Sequence, residues 1–289
     1  MNVSEDPLSL QEVAAALGVH YMTVYRYVRL GHLPATKVGS TWRVEATDLA
    51  SFRSGVEPAG GDAPAGPAVS GRDRRRHVNW AERYETRIVA GDRLGSWAVV
   101  EACLVSGRDI EDLYLDVVAP ALASIGERWA AGQLSIADEH RASTIVRQHL
   151  GRLSPRLGRR GRSRGEVLIG AAPGDRHDLG VAMVGDLLRQ AGFDAVDLGA
   201  DVPVESFVEV ARSLGRLVAV AVGVGTDDHR AAAAEVVVAL REVLPSVAIL
   251  CGGPGLPDAA AASALGAHGW VPDARAAVSW VESAAPRTA

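Results

Sequence analysis

Cysteine is almost missing from this chain: Cys103 and Cys251 are its only two among 289 residues. They sit far apart in apolar contexts, which excludes a disulfide framework and a cysteine-based zinc site. Lysine is scarcer still. Lys37 stands alone among 30 basic residues, so the arginine excess reads as compositional bias before it reads as function. No apolar run approaches the roughly 18 residues that span a bilayer, and the amino terminus lacks a basic-then-apolar leader. A cytoplasmic protein with no membrane partner is expected. A net charge of -5 excludes polyanion binding through overall charge, so any nucleic-acid contact needs a local basic surface. What remains is ordinary globular composition, 48% hydrophobic and 22% charged, on a chain long enough for two or three domains.

Two segments break the pattern. Residues 54–76 are rich in Gly, Pro and Ala and finish in Arg72, Arg74, Arg75 and Arg76, which reads as a linker. Residues 154–164 form a second basic, Gly-rich break. Between them, residues 77–153 carry helical apolar spacing, with turn signals near 91–96, 106–108 and 131–135, and predict a four-helix bundle. From residue 165 to 289, short apolar runs at 167–172, 194–199, 217–223, 247–252 and 269–271 alternate with helices. That alternation predicts a five-stranded parallel α/β domain of Rossmann-like, flavodoxin-like type, within a multidomain chain.

Residues 1–53 read as a DNA-binding module. Leu10–Leu17 is a short apolar-periodic helix, Gly18-Val19-His20 a tight turn, and Met22–Leu30 a second helix carrying Thr23, Tyr25, Arg26 and Arg29. Arginine can bond guanine bidentately, while threonine and tyrosine can hold phosphates. Thr36 to Val44 reads as a two-stranded wing turning at Gly39-Ser40, with Lys37 and Arg43 flanking a DNA backbone. The segment resembles the winged helix-turn-helix of the MerR and excisionase group over residues 8 to about 53. Its charge is balanced: Arg26, Arg29, Lys37, Arg43 and Arg53 face Glu5, Asp6, Glu12, Glu45 and Asp48. A single copy should therefore bind double-stranded DNA weakly, and a homo-oligomer, dimer or tetramer, is expected to supply affinity through linked sites.

The most specific motif is Asp175-Arg176-His177-Asp178-Leu179-Gly180, between the run 167–172 and the amphipathic stretch Val181–Gln190. A histidine on a strand-to-helix loop is presented to whatever binds the sheet's carboxyl edge. An aspartate two residues earlier can fix its tautomer and raise the basicity of a metal-binding imidazole. Leu198-Gly199-Ala200-Asp201-Val202-Pro203 and Cys251-Gly252-Gly253-Pro254-Gly255 gather small residues on the same edge, where a bulky planar ring could lie against backbone.

These residues resemble the cobalamin-binding domain shared by methionine synthase and the B12-dependent mutases, over residues 165 to about 283. The resemblance implies His177 as lower cobalt ligand in place of dimethylbenzimidazole and Asp175 as its hydrogen-bond partner. It further implies Gly180 as a close-packing site, and Gly252 with Gly253 as the floor beneath the nucleotide tail. The family's Ser-x-Leu or Ser-x-Thr at the third strand end is missing; Val222-Gly223-Val224-Gly225-Thr226 stands there, and Thr226 is the candidate for the lost hydroxyl.

In the helical segment, Trp129 precedes Glu139-His140, with Ser135 placed to cap a helix at Ile136 and Asp138 in its first turn. The three side chains can then converge over one cavity. Beside a cobalamin domain this resembles the helical cap of CarH-like B12-dependent photoreceptors, which also begin with a MerR-type domain, so the likeness runs in order over nearly the whole chain. It implies tryptophan packed on the adenosyl group of adenosylcobalamin, glutamate on its ribose, no catalytic residues, and a light-released repressor rather than an enzyme. Those caps place histidine directly after the tryptophan; this chain has Ala130. Three outcomes stay open: His140 or another group substitutes, the photolysed state keeps water, or the cap serves another chromophore. The last resembles photocobilins, which hold a bilin (biliverdin) beside B12. A corrinoid methyl carrier for a methyltransferase is the remaining alternative.

Overall fold

A computed structural model of the chain describes residues 7–17, 24, 27–28, 33–38, 41–53, 79–158 and 161–285. The linker expected over 54–76 lies outside these residues, as do Thr23, Tyr25, Arg26, Arg29 and the expected wing turn at Gly39-Ser40. The chain divides into two compact units: Met1–Arg87 with Asp92–Leu113, and Ile88–Gly91 with Tyr114–Ala289. The helical segment expected over 77–153 is thus shared between them.

In the first unit, α1 (Leu10–Leu17) spans the expected residues. A reciprocal cap starts it: the Glu12 carboxylate accepts the Ser9 N–H at 2.7 Å, and Ser9 Oγ accepts the Glu12 N–H at 3.3 Å. The wing is present as β2 (Thr36–Val38) antiparallel to β3 (Thr41–Val44). Its third strand, β1 (Leu8–Ser9), and the following helix α2 (Ala46–Arg53) were not anticipated. Two residues are too few to show a period, and α2 buries Leu49 alone on its face. Val24, Tyr27 and Val28, spaced three and four apart, are helical and join Leu10, Val13, Leu33, Val44 and Leu49 in one core. Two further helices, α3 (Trp80–Val89) and α4 (Arg93–Val105), lie in this unit apart from the end of α3 and the turn at Gly91 between them, which belong to the second. Asp92 caps α4 by accepting the Gly95 N–H at 2.8 Å, and α5 (Ile110–Leu113) follows.

The second unit holds a widened π-helical turn, Tyr114–Val118, followed by α6 (Ala119–Ala130) and α7 (Ile136–Leu153). Pro120 explains the widening: a proline ring collides with the carbonyl four residues back, here Asp116, and an extra residue in the turn moves that carbonyl away. Ser135 and Asp138 form the anticipated cap of α7, a full capping box. The break expected from Ser154 begins instead as a 3-10 turn, Ser154–Arg156, with Leu157 buried behind it.

The five strands fall where the apolar runs lie: β4 (Glu166–Ala171), β5 (Asp194–Asp197), β6 (Leu217–Gly223), β7 (Ala248–Gly252) and β8 (Gly269–Val271). All pairings are parallel in the order β5-β4-β6-β7-β8. Central β4 is buried from its second residue onward, as a parallel strand covered on both faces must be. The covering helices are α8 (Leu179–Gln190), α9 (Val204–Ser213), α10 (Arg230–Val243), α11 (Ala259–Ala264) and α12 (Ala274–Ala284). The strand order reverses between β4 and β6, so the loops after these two strands open a crevice at the sheet's carboxyl edge. No helix among the described residues is long and apolar enough to cross a membrane.

Candidate functional site

The loop after β4 opens with a tight turn. Pro173 and Gly174 take its central positions, Gly174 at φ +80°, and the Asp175 N–H closes it on Ala172 O at 3.0 Å. A type II turn asks for proline then glycine in these places, because the third residue has positive φ. Asp201, beyond β5, braces it from the side: its carboxylate accepts the Gly174 N–H at 2.6 Å, and its own N–H donates to Asp175 O at 2.7 Å.

The turn delivers Asp175 to a wholly buried position. One carboxylate oxygen accepts the His177 N–H at 3.0 Å and lies 2.7 Å from His177 Nδ1; the other accepts the Gly225 N–H from the loop after β6. Burial alone would push this carboxyl up, but the hydrogen bonds from His177 and Gly225 outweigh it and hold Asp175 below the usual carboxylate range. The same bond to Asp175 raises His177 above an ordinary imidazole, with the charges of Asp175, Glu139 and Asp178 adding to it. In the neutral ring this bond has Nδ1–H donating to Asp175, which leaves the lone pair on Nε2. The His177 side chain is 64% exposed beside an Asp175 that is 0% exposed.

Gly225 admits no side chain here. A Cβ would lie 2.6 Å from His177 Nδ1 and 2.8 Å from Asp175 Oδ1. Thr226, expected to replace the family's serine, spends its hydroxyl on His229, with Oγ1 2.8 Å from Nδ1. His229 Nδ1 in turn lies 3.8 Å from Asp175 Oδ1.

Of the expected floor, Gly252 ends β7 and Gly253 follows at φ +114°; a Cβ on Gly253 would meet Val224 O at 2.6 Å. At Gly180, expected as a close-packing site, a Cβ would meet no protein atom within 4 Å, and open space lies beside it at the start of α8. The close approach of α8 to the sheet is made one turn later by Gly185, whose Cβ would lie 2.6 Å from Ile169 Cδ1.

Trp129 ends α6 at 48% exposure, the most open tryptophan among the described residues with large exposed apolar side chains. Glu139 and His140 pair through carboxylate and Nδ1 on the first turns of α7, and Ser143 also donates to Glu139. Burial raises the Glu139 carboxyl, but Ser143, His140 and the charge of His177 bring it net below its ordinary value. Glu139 and His177 therefore act on each other, whereas the His140 ring stays largely exposed. Arg147 of α7 binds the Asp178 carboxylate, next to His177. Deeper down, the buried Asp186 of α8 accepts Tyr114 Oη–H at 2.7 Å and Ser154 Oγ–H at 2.6 Å. On the first unit, Arg43 lies in β3 and Lys37 in β2.

His229, Gly225 and Asp201 escaped the sequence reading. The usable signal was His229 itself, a histidine just past the third strand, since a flavodoxin-like order lays the first and third strand loops side by side.

This donor set fits a corrinoid: a largely exposed imidazole held at Nδ1 by a buried carboxylate, and flanked by glycines with little side-chain bulk. The comparisons agree. Residues 80–154 and 165–279 each match a B12 binding domain family, and residues 7–55 match a helix-turn-helix domain family. The trimethylamine corrinoid protein 1 of Methanosarcina acetivorans is 32% identical over 119 residues, 40% of this chain and 55% of that protein. A corrinoid protein of Desulfitobacterium hafniense is 28% identical over 37% of this chain and 51% of its own length. The chain thus spans about half the length of these curated relatives. The solved monomethylamine corrinoid protein of Methanosarcina barkeri superposes with a TM-score of 0.63 at 22% identity, covering 71% of this chain and 98% of that one, a likeness of fold. The chain carries a helix-turn-helix domain ahead of two B12 binding domains, and cobalamin is its cofactor.

Proposed function

We propose that this chain is a light-responsive transcriptional repressor that holds adenosylcobalamin against His177 and couples the state of its upper face to DNA binding. The observation that supports this reading is the pair between Arg147 of α7 and the Asp178 carboxylate, which holds the helix that carries Glu139 and His140 against the loop that carries His177, in a chain that also matches a helix-turn-helix domain. On this reading His177 is the cobalt ligand through Nε2, and Asp175 keeps the Nδ1 proton in place. Trp129 offers an open aromatic face to the adenine-bearing group, and Glu139 offers carboxylate oxygens to its ribose hydroxyls. Adenosylcobalamin, when bound, supplies a cobalt–carbon bond that visible light breaks. Regulation then needs a ligand state that favours one arrangement of the chain over another; a differential of about 5.5 kcal/mol moves a two-state population from 1:99 to 99:1. The output is double-stranded DNA, read by the second helix and by Lys37 and Arg43, with an oligomer supplying linked sites. No residue is assigned a catalytic role.

The test is an electrophoretic mobility shift on the chain's own promoter with adenosylcobalamin, in darkness and under green light. Release in light alone is expected. Equal binding in both conditions would sink the proposal.

A second reading, a corrinoid methyl carrier, is favoured by the relatives' names as methylamine corrinoid proteins. Transfer of a methyl group from the loaded protein to a thiol acceptor by a partner methyltransferase would establish it in place of the first.

A further inference from the structure

Two loops that the sheet brings together hold more donors than one cobalt ligand requires. Asp175 and His177 come from the loop after β4, and His229 from the short turn Asp227–His229 after β6. One ligand atom from each lies within 4.8 Å of the other two. The His229 Nδ1 to Asp175 Oδ1 separation of 3.8 Å is too long for a hydrogen bond, yet it suits two donors bridged by one ion. The His177 and His229 rings meet edge-on with centroids 6.4 Å apart, so neither blocks the other's Nδ1 by stacking. Asp175 is fixed before any ion arrives, by the amides of His177 and Gly225.

We propose that the corrinoid-free protein binds one divalent first-row transition ion at Asp175, His177 and His229. Two imidazoles and one carboxylate suit zinc, cobalt, nickel or iron and disfavour magnesium and calcium, which prefer oxygen donors. Binding releases the His177 Nδ1 proton to solvent, and the Thr226 hydroxyl rotates away from His229 Nδ1 to free its lone pair. The ion takes His177 through Nδ1, whereas the corrinoid reading assigns Nε2 to cobalt. The two therefore compete for the Asp175–His177 bond. This inference rests on the three side chains and does not need the photoreceptor reading.

The experiment titrates tag-free, corrinoid-free full-length protein with Co2+, following its visible ligand-field bands, and with Zn2+ by calorimetry. One ion per chain is expected, with affinity lower by roughly tenfold or more in His229→Ala and His229→Gln. Both variants should keep the wild-type far-UV circular dichroism and urea-unfolding midpoint, which reports that they are folded; His177→Ala should lose the metal and the corrinoid alike. Equal metal binding in the wild type and both His229 variants would overturn the proposal, as would no metal binding by the wild type. Failure of His177→Ala to lose the corrinoid would count against the cobalt-ligand reading instead.

Discussion

The Asp175 carboxylate bridges two loops that are 50 residues apart in the chain, accepting the His177 N–H on one oxygen and the Gly225 N–H on the other. It therefore sets the orientation of the imidazole and also fixes the spacing of the crevice at the sheet's carboxyl edge.

Asp175→Asn keeps the shape of this bridge and removes its charge. Cobalamin affinity should fall by about 10- to 100-fold, as for other partners of metal-bound histidine, and His177→Ala should fall further. Corrin absorbance retained per mole of purified protein measures both. Undiminished absorbance in His177→Ala would show that another group holds the cobalt.

Gly225→Ala tests the crevice from the opposite side. Its methyl group would enter within 2.6 Å of His177 Nδ1, and overpacking of this kind costs about 1–3 kcal/mol. Reduced corrinoid loading is expected even though no polar group has been removed. Ala in place of Gly180 meets nothing within 4 Å and should leave the stability of the corrinoid-free protein nearly unchanged, as equilibrium urea unfolding would show.

Ser135→Ala removes the cap of α7 and should cost about 0.5–2 kcal/mol. Asp138, its partner, is held below its ordinary value first by the Ser135 hydroxyl. A depressed carboxylate contributes stability above its unfolded value and loses it as pH falls through the folded one. The stability difference between wild type and Asp138→Asn should therefore be present at neutral pH and shrink below pH 3.8, the ordinary aspartate value. A difference that grows toward acid would contradict the cap.

Tyr114→Phe deletes one of the bonds to buried Asp186 while Ser154 and Arg189 remain. Hydrogen bonds to charged groups are worth about 1.5–3 kcal/mol, and urea unfolding of the second unit should shift by an amount in this range. No shift would mean that water or Arg189 takes up the vacated oxygen.

The sheet was readable because parallel strands buried on both faces must be continuous apolar runs, and the loop after β4 because Asp175 and His177 are neighbours in sequence. The Ser135 cap is local for the same reason. What stayed hidden depends on which strands adjoin. Gly225 and His229 reach Asp175 only because β6 lies beside β4, and no pattern within residues 217–229 announces that pairing. The role of Gly185 was hidden in the same way: only the direction of α8 over Ile169 decides which of its glycines touches the sheet.

Tyr114 and Ser154 stand at the two ends of the α6–α7 hairpin, and both fasten to Asp186. The hairpin is thus anchored at its root, with a second stay from Arg147 to Asp178 partway along. Trp129 and Ser135 flank its tip, and Arg141, less than two turns in from it, donates to Val89 O at 2.7 Å. About 27 Å of α7 separates root from tip, at 1.5 Å per residue, so bonds at Asp186, Asp178 and Val89 hold the helix at its root, along its length and near its tip, and the place of Trp129 is set by all three.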